Sequence, residues 1–177
     1  MPVAITRQLS PAIARCELTH LVRQPIDVGL AMLQHEEYER CLAELGCQVI
    51  SLAAVPDLPD AVFVEDTAVV VDELAVMSRP GAVTRRSETA TVAAVLARYR
   101  QLRAIEAPGT LDGGDVLGLG RRVLVGQTPR TNREGIEQLR GFLAPLGYHV
   151  EGVAVTGCLH LKSAVTPLAP DAVLGLS

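Results

Sequence analysis

The stretch that decides the fold is 65-EDTAVVVDELAVM-77, in which two carboxylates precede two short apolar runs. The Val-rich first run predicts a buried strand, and Asp72-Glu73 between the runs predicts a tight turn. Burying an ionised carboxylate is unfavourable unless a partner compensates it. Glu65 and Asp66 therefore need partners, or a position at the mouth of the strand.

The same pattern returns later in the chain, at 115-DVLGLGRRVLVGQ-127. In both copies an acid opens a strand, a turn leads to a second strand, and an amphipathic helix and a last short strand follow. The apolar positions of the two helices are Val92, Val95 and Leu96 in one and Ile136, Leu139 and Leu143 in the other. The sequence therefore predicts two ββαβ repeats, the 60–107 repeat and the 110–155 repeat.

Parts of the same pattern lie on both sides of these repeats, at about 15–55 and 158–177. The first contains a predicted helix from Pro25 to Leu45, ended by Gly46, and then a strand. The second contains a predicted hairpin formed by LHLKSAVTPL and DAVLGLS. Repeats of this period are typical of a propeller or a solenoid, so we expect an α/β fold in a single partial domain over 1–177.

We expect the chain to end inside a repeat, which would leave unpaired strand edges and an open core. Such an end would be covered by self-association into a homo-oligomer or by a C-terminal piece lost by truncation. The alternative is that the final hairpin pairs at the edge of a complete small sheet.

The composition favours a small-molecule partner. Hydrophobic residues make up 49% and charged residues 20% of 177 residues, with a net charge of −4. No basic cluster with interleaved aromatic residues indicates nucleic acid, and no apolar run reaches the roughly 18 residues that span a membrane. Cys16, Cys41, Cys47 and Cys158 lack metal-site spacing. We expect reduced cysteines, a cytoplasmic location, and neither a metal nor a cofactor.

Polar residues collect where the strands of each repeat begin. The acids there are Asp60, Glu65, Asp66, Asp112 and Asp115, and the third repeat has His160 and Lys162. In a radial array these positions recur around one mouth of the axis, with Arg85 and Arg130 at the rim. Carboxylates bind a guanidinium through paired hydrogen bonds, and arginine binds a carboxylate in the same way. The pattern therefore predicts a site for an arginine-like amino acid.

Five collinear motifs, PDAVFVED, SRPGAVTRRSE, TLDGGDV, VGQTPRTNREG and LHLKS, resemble those of the dimethylarginine dimethylaminohydrolase family. That family belongs to the guanidino-modifying, or amidinotransferase, superfamily. The resemblance implies a five-bladed α/β propeller, with about three of its five repeats in this chain. It also implies hydrolysis of Nω-methylated arginines to citrulline and a methylamine, and a connection to nitric oxide regulation. The alternatives are an arginine deiminase or another guanidino-modifying enzyme, and a non-catalytic fragment that binds arginine analogues or self-associates.

The resemblance also assigns roles to residues. Those with catalytic roles are His160, Asp66 and Asp112, and those with substrate-binding roles are Leu18, Asp60, Glu65, Asp66, Arg85 and Arg130. His160 would be the general acid and base, oriented by Asp112. Arg85 and Arg130 would bind the α-carboxylate, the Leu18 carbonyl and Asp60 would face the amino acid end, and Glu65 and Asp66 would lie nearer the guanidinium.

In the family mechanism a cysteine thiolate attacks the guanidinium carbon and forms a covalent thiouronium. That cysteine lies beyond residue 177 in the family, so we expect the 177-residue chain to be inactive by itself. Cys158 is the only substitute to consider, on the same face as His160 if the strand there is regular. Its side-by-side position is poor for attack. We also expect the surrounding acids to raise the pKa of His160.

Simpler interpretations stand beside these assignments. Glu65 and Asp66 would be a strand cap or partners of Arg79, and Arg86 would be a solvated helix-start residue. Asp115 would serve the tight entry into its strand.

Overall fold

A computed structural model describes residues 1–19, 21–169 and 172–175. The described elements, in chain order, are β1 (Val3–Arg7), α1 (Val28–Glu44), β2 (Gln48–Leu52), β3 (Ala68–Val70), β4 (Leu74–Met77), α2 (Thr89–Leu96), β5 (Gln101–Ala104), β6 (Val116–Leu119), β7 (Arg122–Gln127), α3 (Arg133–Leu143), β8 (His149–Ala154), α4 (Leu161–Ala164), β9 (Val165–Ala169) and β10 (Ala172–Gly175). They are distributed over two compact units, Met1–Val64 and Glu65–Ser177.

In the unit Met1–Val64, strands β1 and β2 pair in parallel, with α1 between them in sequence. The carboxylate of Asp27 caps α1 by accepting a hydrogen bond from Leu30 N at 2.9 Å. Gly46 follows the helix at φ 87, a left-handed conformation that glycine adopts without strain. The structure therefore confirms the predicted helix, strand and helix-ending glycine. Strand β1, which lies before every motif, was not predicted.

The 60–107 repeat has the predicted ββαβ order. Strands β3 and β4 form an antiparallel hairpin, α2 follows, and β5 returns to pair in parallel with β4. The turn between β3 and β4 closes through a hydrogen bond from Val71 N to Leu74 O at 2.9 Å. Strand β5 ends at Ala104, three residues before the predicted end of the 60–107 repeat.

The 110–155 repeat has the same topology. Strands β6 and β7 pair antiparallel, and β7 and β8 pair in parallel across six residues. Helix α3 begins after Asn132, whose side chain accepts a hydrogen bond from Gly135 N at 2.9 Å. Because the helix turns every 3.6 residues, Ile136, Leu139 and Leu143 all face inward, as predicted.

The apolar residues of these two repeats form one core in the unit Glu65–Ser177. Its buried members are Val69, Leu74, Val76, Ile105, Leu111, Val116, Val123, Val125, Ile136, Leu139, Leu143, Tyr148 and Val150. Removal of these side chains from water is the main favourable term for folding. Within the described ranges, no helix has the length and apolar character needed to cross a bilayer.

The last described element is the predicted hairpin, but it begins later than expected. Residues Leu161–Ala164 form the short helix α4, and the first strand starts only at Val165. The helix turns the chain so that Leu161 N donates to the buried Asp115 carboxylate at 3.1 Å. Strands β9 and β10 pair with each other and with no other described strand, which contradicts the alternative of an edge position in another sheet. Asp171, Leu176 and Ser177 lie outside the described residues.

Candidate active site

The buried charged side chains of the unit Glu65–Ser177 lie close to the predicted strand starts. Among the described residues they are four acids and three basic groups: Asp66, Glu88, Asp112, Asp115, Arg85, Arg130 and His160. Asp66 and Asp115 stand in the 3-10 turns Val64–Thr67 and Gly113–Asp115, directly before β3 and β6. The strand-start pattern therefore predicted four of the seven, which are Asp66, Asp112, Asp115 and His160. The two arginines were expected at a rim, and Glu88 was not predicted.

Asp66 pairs with a buried arginine. Its Oδ2 accepts a hydrogen bond from Arg85 Nη1 at 2.7 Å, and its Oδ1 accepts one from Gly114 N at 2.9 Å. Arg85 also donates to Glu88 through Nη2 at 2.9 Å and Nε at 3.1 Å. Burial by itself lowers the pKa of Arg85, but hydrogen bonds and charges from Glu88 and Asp66 outweigh burial and raise it. The simpler interpretation that Asp66 pairs with Arg79 is wrong, because Arg85 takes that place.

Asp115 is held by two hydroxyl groups and a backbone amide. Its Oδ2 accepts hydrogen bonds from Thr131 Oγ1 at 2.6 Å and from Thr128 Oγ1 at 2.8 Å. Its Oδ1 accepts one from Leu161 N at 3.1 Å. The carboxylate is fully buried.

His160 lies between these two aspartates. Its Nδ1 is 3.3 Å from Asp115 Oδ1, and its Nε2 is 3.7 Å from Asp66 Oδ1. Burial opposes the charged imidazolium, but the contact with Asp115 and the charges of Asp66 and Asp112 outweigh burial and raise the pKa of His160. The predicted direction of this shift is confirmed.

Asp112 faces a different set of partners. Its Oδ1 accepts a hydrogen bond from Gly81 N at 2.9 Å, and its Oδ2 lies 3.7 Å from Arg130 Nη1. Burial, followed by the negative charge of Asp66, raises the pKa of Asp112. The carried-over role for Asp112 was to orient His160, yet Asp115 is the acid placed against Nδ1.

Gly114 lets Asp66 and His160 approach the backbone. A Cβ at this position would lie 2.7 Å from Asp66 Oδ1 and 2.8 Å from His160 Cδ2. Contacts this short do not occur for real side chains, so the second glycine of TLDGGDV is needed for this packing.

Three further residues, Leu18, Asp60 and Glu65, were predicted for the site. Glu65 is exposed and pairs with Lys162 Nζ at 2.6 Å. Leu18 is partly exposed in the unit Met1–Val64. In that unit Asp60 is buried and accepts hydrogen bonds from Glu17 N at 3.1 and 3.2 Å. The substrate-binding roles of Leu18 and Asp60 stay predictions.

The geometry expected for Cys158 is wrong. Residues before α4 form a bend rather than a strand, so Cys158 and His160 do not share a strand face. The Cys158 thiol donates to the backbone O of His160 at 3.3 Å.

Three of the buried groups have atoms that a metal ion would accept as ligands. The atoms come from Asp66, Asp112 and His160 and lie within 4.8 Å of one another. We assign no metal to them, because a divalent ion at these atoms would lie against the Arg85 guanidinium, which is 2.7 Å from Asp66 Oδ2.

Sequence reasoning missed the buried acid Glu88 and the contact of Asp115 with His160. Glu88 lies three residues after Arg85 in the motif RRSE, a spacing that allows pairing on one helical face. Asp115 was interpreted only as part of a strand entry. The signal for its site position was its equivalence to Asp66 in the repeat, which had already been recognised.

Known proteins are similar to this chain in sequence. The arginine deiminase family matches residues 48–144. A dimethylarginine dimethylaminohydrolase of Streptomyces coelicolor is 44% identical over 97% of this chain and 67% of its own length. The enzyme of the same name from Pseudomonas aeruginosa is 34% identical over 80% of this chain and 57% of its own length.

A solved structure gives the same result for the fold. The Pseudomonas aeruginosa dimethylarginine dimethylaminohydrolase complexed with citrulline matches with a TM-score of 0.93 and 30% identity, over 99% of this chain and 70% of that one. The match confirms the predicted α/β fold class. The chain belongs to the dimethylarginine dimethylaminohydrolase family.

Proposed function

We propose that Asp66 binds the guanidinium of a methylated arginine, and that His160 acts as general acid and base in its hydrolysis to citrulline and a methylamine. The observation that carries the proposal is the charge balance of the buried cluster, which has four acids and three basic groups. Buried charges require compensation, and a ligand cation completes the balance. Two relatives named dimethylarginine dimethylaminohydrolase and a related structure with bound citrulline support this choice.

The chemistry follows from the weak electrophilicity of a guanidinium, whose charge is spread over three nitrogens. A fixed carboxylate such as Asp66 orients the group and localises its charge, which presents the central carbon to a nucleophile. A thiolate adds to that carbon, and the imidazolium of His160 protonates the departing amine. Neutral His160 then removes a proton from the water that releases citrulline.

We propose that the thiolate comes from outside residues 1–177. Cys158 is the cysteine closest in sequence to His160, and its thiol is directed to a backbone carbonyl. A thiol placed beside the histidine backbone cannot attack from across the substrate.

The two predicted carboxylate-binding arginines divide into different roles in this proposal. Arg85 is enclosed by Asp66 and Glu88, and we assign it the role of positioning Asp66. Arg130 keeps the role of binding the substrate α-carboxylate, because a guanidinium can bind a carboxylate through two parallel hydrogen bonds.

Isothermal titration of the 177-residue chain with Nω,Nω-dimethyl-L-arginine tests the binding step. Wild type is expected to bind, and Asp66→Asn to weaken the affinity at least about tenfold, or about 1.4 kcal/mol. Glu73→Gln, which removes an exposed acid of the same repeat, is the control and should retain wild-type affinity. Absence of binding by wild type, or equal affinity of Asp66→Asn, contradicts the proposal.

A citrulline assay tests the chemical step. The 177-residue chain is expected to form no citrulline. Citrulline formation that Cys158→Ser abolishes would contradict the external thiol. Formation that His160→Ala abolishes would exclude a non-catalytic binding module, whichever thiol acts.

Arginine deiminase is a second candidate, favoured by the family match over residues 48–144. Relative turnover of dimethylarginine and arginine by a catalytically competent form decides between the two activities. A preference for arginine would select the deiminase.

We also propose that the protein acts in the cytoplasm, in keeping with Cys16, Cys41, Cys47 and Cys158, which are free thiols. Self-association stays a prediction, which the light-scattering mass of the purified chain tests.

A further inference from the structure

Asp115 has a rigid carboxylate. Two hydroxyl groups, from Thr128 and Thr131, hold Oδ2, and the backbone amide of Leu161 holds Oδ1. All of these donors lie between 2.6 and 3.1 Å from the oxygen that they bind. The carboxylate cannot rotate without breaking them, and no water reaches it because it is fully buried.

The same carboxylate controls both the backbone and the ring around His160. Leu161, whose amide binds Oδ1, is the next residue in the chain, so the backbone of His160 is anchored by Asp115. Oδ1 also lies 3.3 Å from the ring nitrogen Nδ1, at ion-pair distance, and Nδ1 is a buried atom that has no aligned hydrogen-bond partner among the described residues. The opposite nitrogen, Nε2, is the one on the Asp66 side, at 3.7 Å from Oδ1 of that residue.

We propose that Asp115 is the positioning residue of His160, which keeps a proton on Nδ1 and thereby makes Nε2 the nitrogen that gains and loses the working proton. A histidine nitrogen that faces a fixed carboxylate carries the hydrogen, because only the N–H form is attracted to it. The other nitrogen is then left with the exchangeable proton. This proposal rests on the proposed function, in which His160 is the acid and base.

The proton balance of the reaction is consistent with this assignment. As the C–N bond breaks, its electron pair goes to the departing amine nitrogen, which takes the proton from Nε2. The neutral ring then accepts a proton from water at Nε2, while the water oxygen bonds to the thiouronium carbon and the C–S electron pair returns to sulfur. Nδ1 keeps its proton through both steps.

Asp112 is not arranged for this role. One of its oxygens binds Gly81 N, and the other lies toward Arg130. Among the described residues, the ion pairs of His160 are with Asp66 and Asp115. The charge of Asp112 acts on the ring from a greater distance.

Nitrogen-15 NMR of the histidine rings tests the proposal directly in wild-type chain, with the His160 signals assigned by their loss in His160→Gln. Above the pKa of His160, the Nδ1 resonance should show a bonded proton and Nε2 should show none. Observation of the opposite tautomer would overturn the proposal. This measurement uses the wild-type chain, so it does not depend on whether an Asp115 variant folds.

A pair of matched variants then separates the two acids. Asp115→Asn should remove most of the preference for the Nδ1–H tautomer, whereas Asp112→Asn should retain it. Asp115→Asn should also lower the pKa of His160 more than Asp112→Asn does, because Asp115 is the acid in closest contact. Equal behaviour of the two variants overturns the proposal. If dimethylarginine fails to bind, the proposed function is rejected. The proposal about Asp115 is then still tested by the tautomer of the His160 ring.

Discussion

Asp66 and Asp115 occupy equivalent positions in two repeats, but their carboxylates have different hydrogen-bond partners. The comparison shows that one position in a repeat can serve two functions. Each lies in a 3-10 turn directly before a strand. Each also accepts a hydrogen bond through Oδ1 from the backbone amide at the entry of the next repeat, Gly114 in one case and Leu161 in the other. The shared contact ties successive repeats together.

The two acids differ at Oδ2. Asp66 binds the Arg85 guanidinium there, and Asp115 binds two threonine hydroxyl groups. A guanidinium neutralises the carboxylate, whereas hydroxyl groups fix it and leave its charge intact. His160 therefore lies between Asp66, which shares the Arg85 cation with Glu88, and Asp115, which is fixed by hydroxyl groups.

The largest expected effect follows from removing the cation that only the Asp66 side possesses. Arg85→Met would leave Asp66 and Glu88 buried without their partner, which should lower the free energy of unfolding by about 3–5 kcal/mol. Urea unfolding of the 177-residue chain measures the change. Arg86→Met is the control, since Arg86 is only part-buried and its Nε donates a hydrogen bond to the backbone O of Pro80 at 3.0 Å. If both variants lower the free energy of unfolding equally, the buried pairing of Arg85 with Asp66 is not what distinguishes Asp66 from Asp115.

A smaller loss of stability is expected from a substitution at Gly114, one of the two residues whose backbone amides donate to these aspartates. Leu161 carries a side chain, but a Cβ on Gly114 would collide with Asp66 and His160. Gly114→Ala should therefore lower the free energy of unfolding by about 1–3 kcal/mol. Gly118→Ala, in β6, has no heavy atom within 4 Å of the new Cβ and serves as the control, with a change below about 1 kcal/mol. Similar values for the two variants would mean that the close packing at Gly114 is not required.

The pH dependence of stability tests the two acids together. They raise the pKa of His160 above the unfolded value, so the folded chain binds that proton more tightly. The resulting stability is fully present below pH about 6.5 and is lost as the pH rises through the folded pKa, by about 1.4 kcal/mol per unit of pKa difference. Urea unfolding between pH 6 and 9 should show this decline in wild type and a smaller decline in His160→Gln.

The exposed variant His149→Gln should keep the wild-type decline. If His160→Gln keeps it as well, the two aspartates do not stabilise the imidazolium.

The smallest effect is expected at Glu65, the neighbour of Asp66 in the same turn. Its pairing with Lys162 is solvent-exposed, so Lys162→Met should change the free energy of unfolding by less than about 1 kcal/mol. Urea unfolding at low and high salt measures it. If Lys162→Met lowers the free energy of unfolding as much as Arg85→Met does, the exposed acid Glu65 and the buried acid Asp66 do not differ in the way proposed.

Much of the fold followed from local patterns. The alternation of apolar runs and turns gave the ββαβ order, and helical spacing gave the buried face of α3. These features depend on neighbours in sequence, which is why they were predictable. The start of β9 was misplaced because the turn before it is set by a hydrogen bond to Asp115, forty-six positions earlier.

By itself, the sequence determined the repeat, the fold class, the family and most of the residues that meet at the candidate site. Only the tertiary structure decided which acid contacts which base. Asp66, Asp112 and Asp115 are the same residue type at similar strand-start positions, so sequence spacing cannot rank them. Their partners come from other segments of the chain, and the burial of those partners fixes whether each carboxylate balances an arginine, binds a loop amide or holds His160.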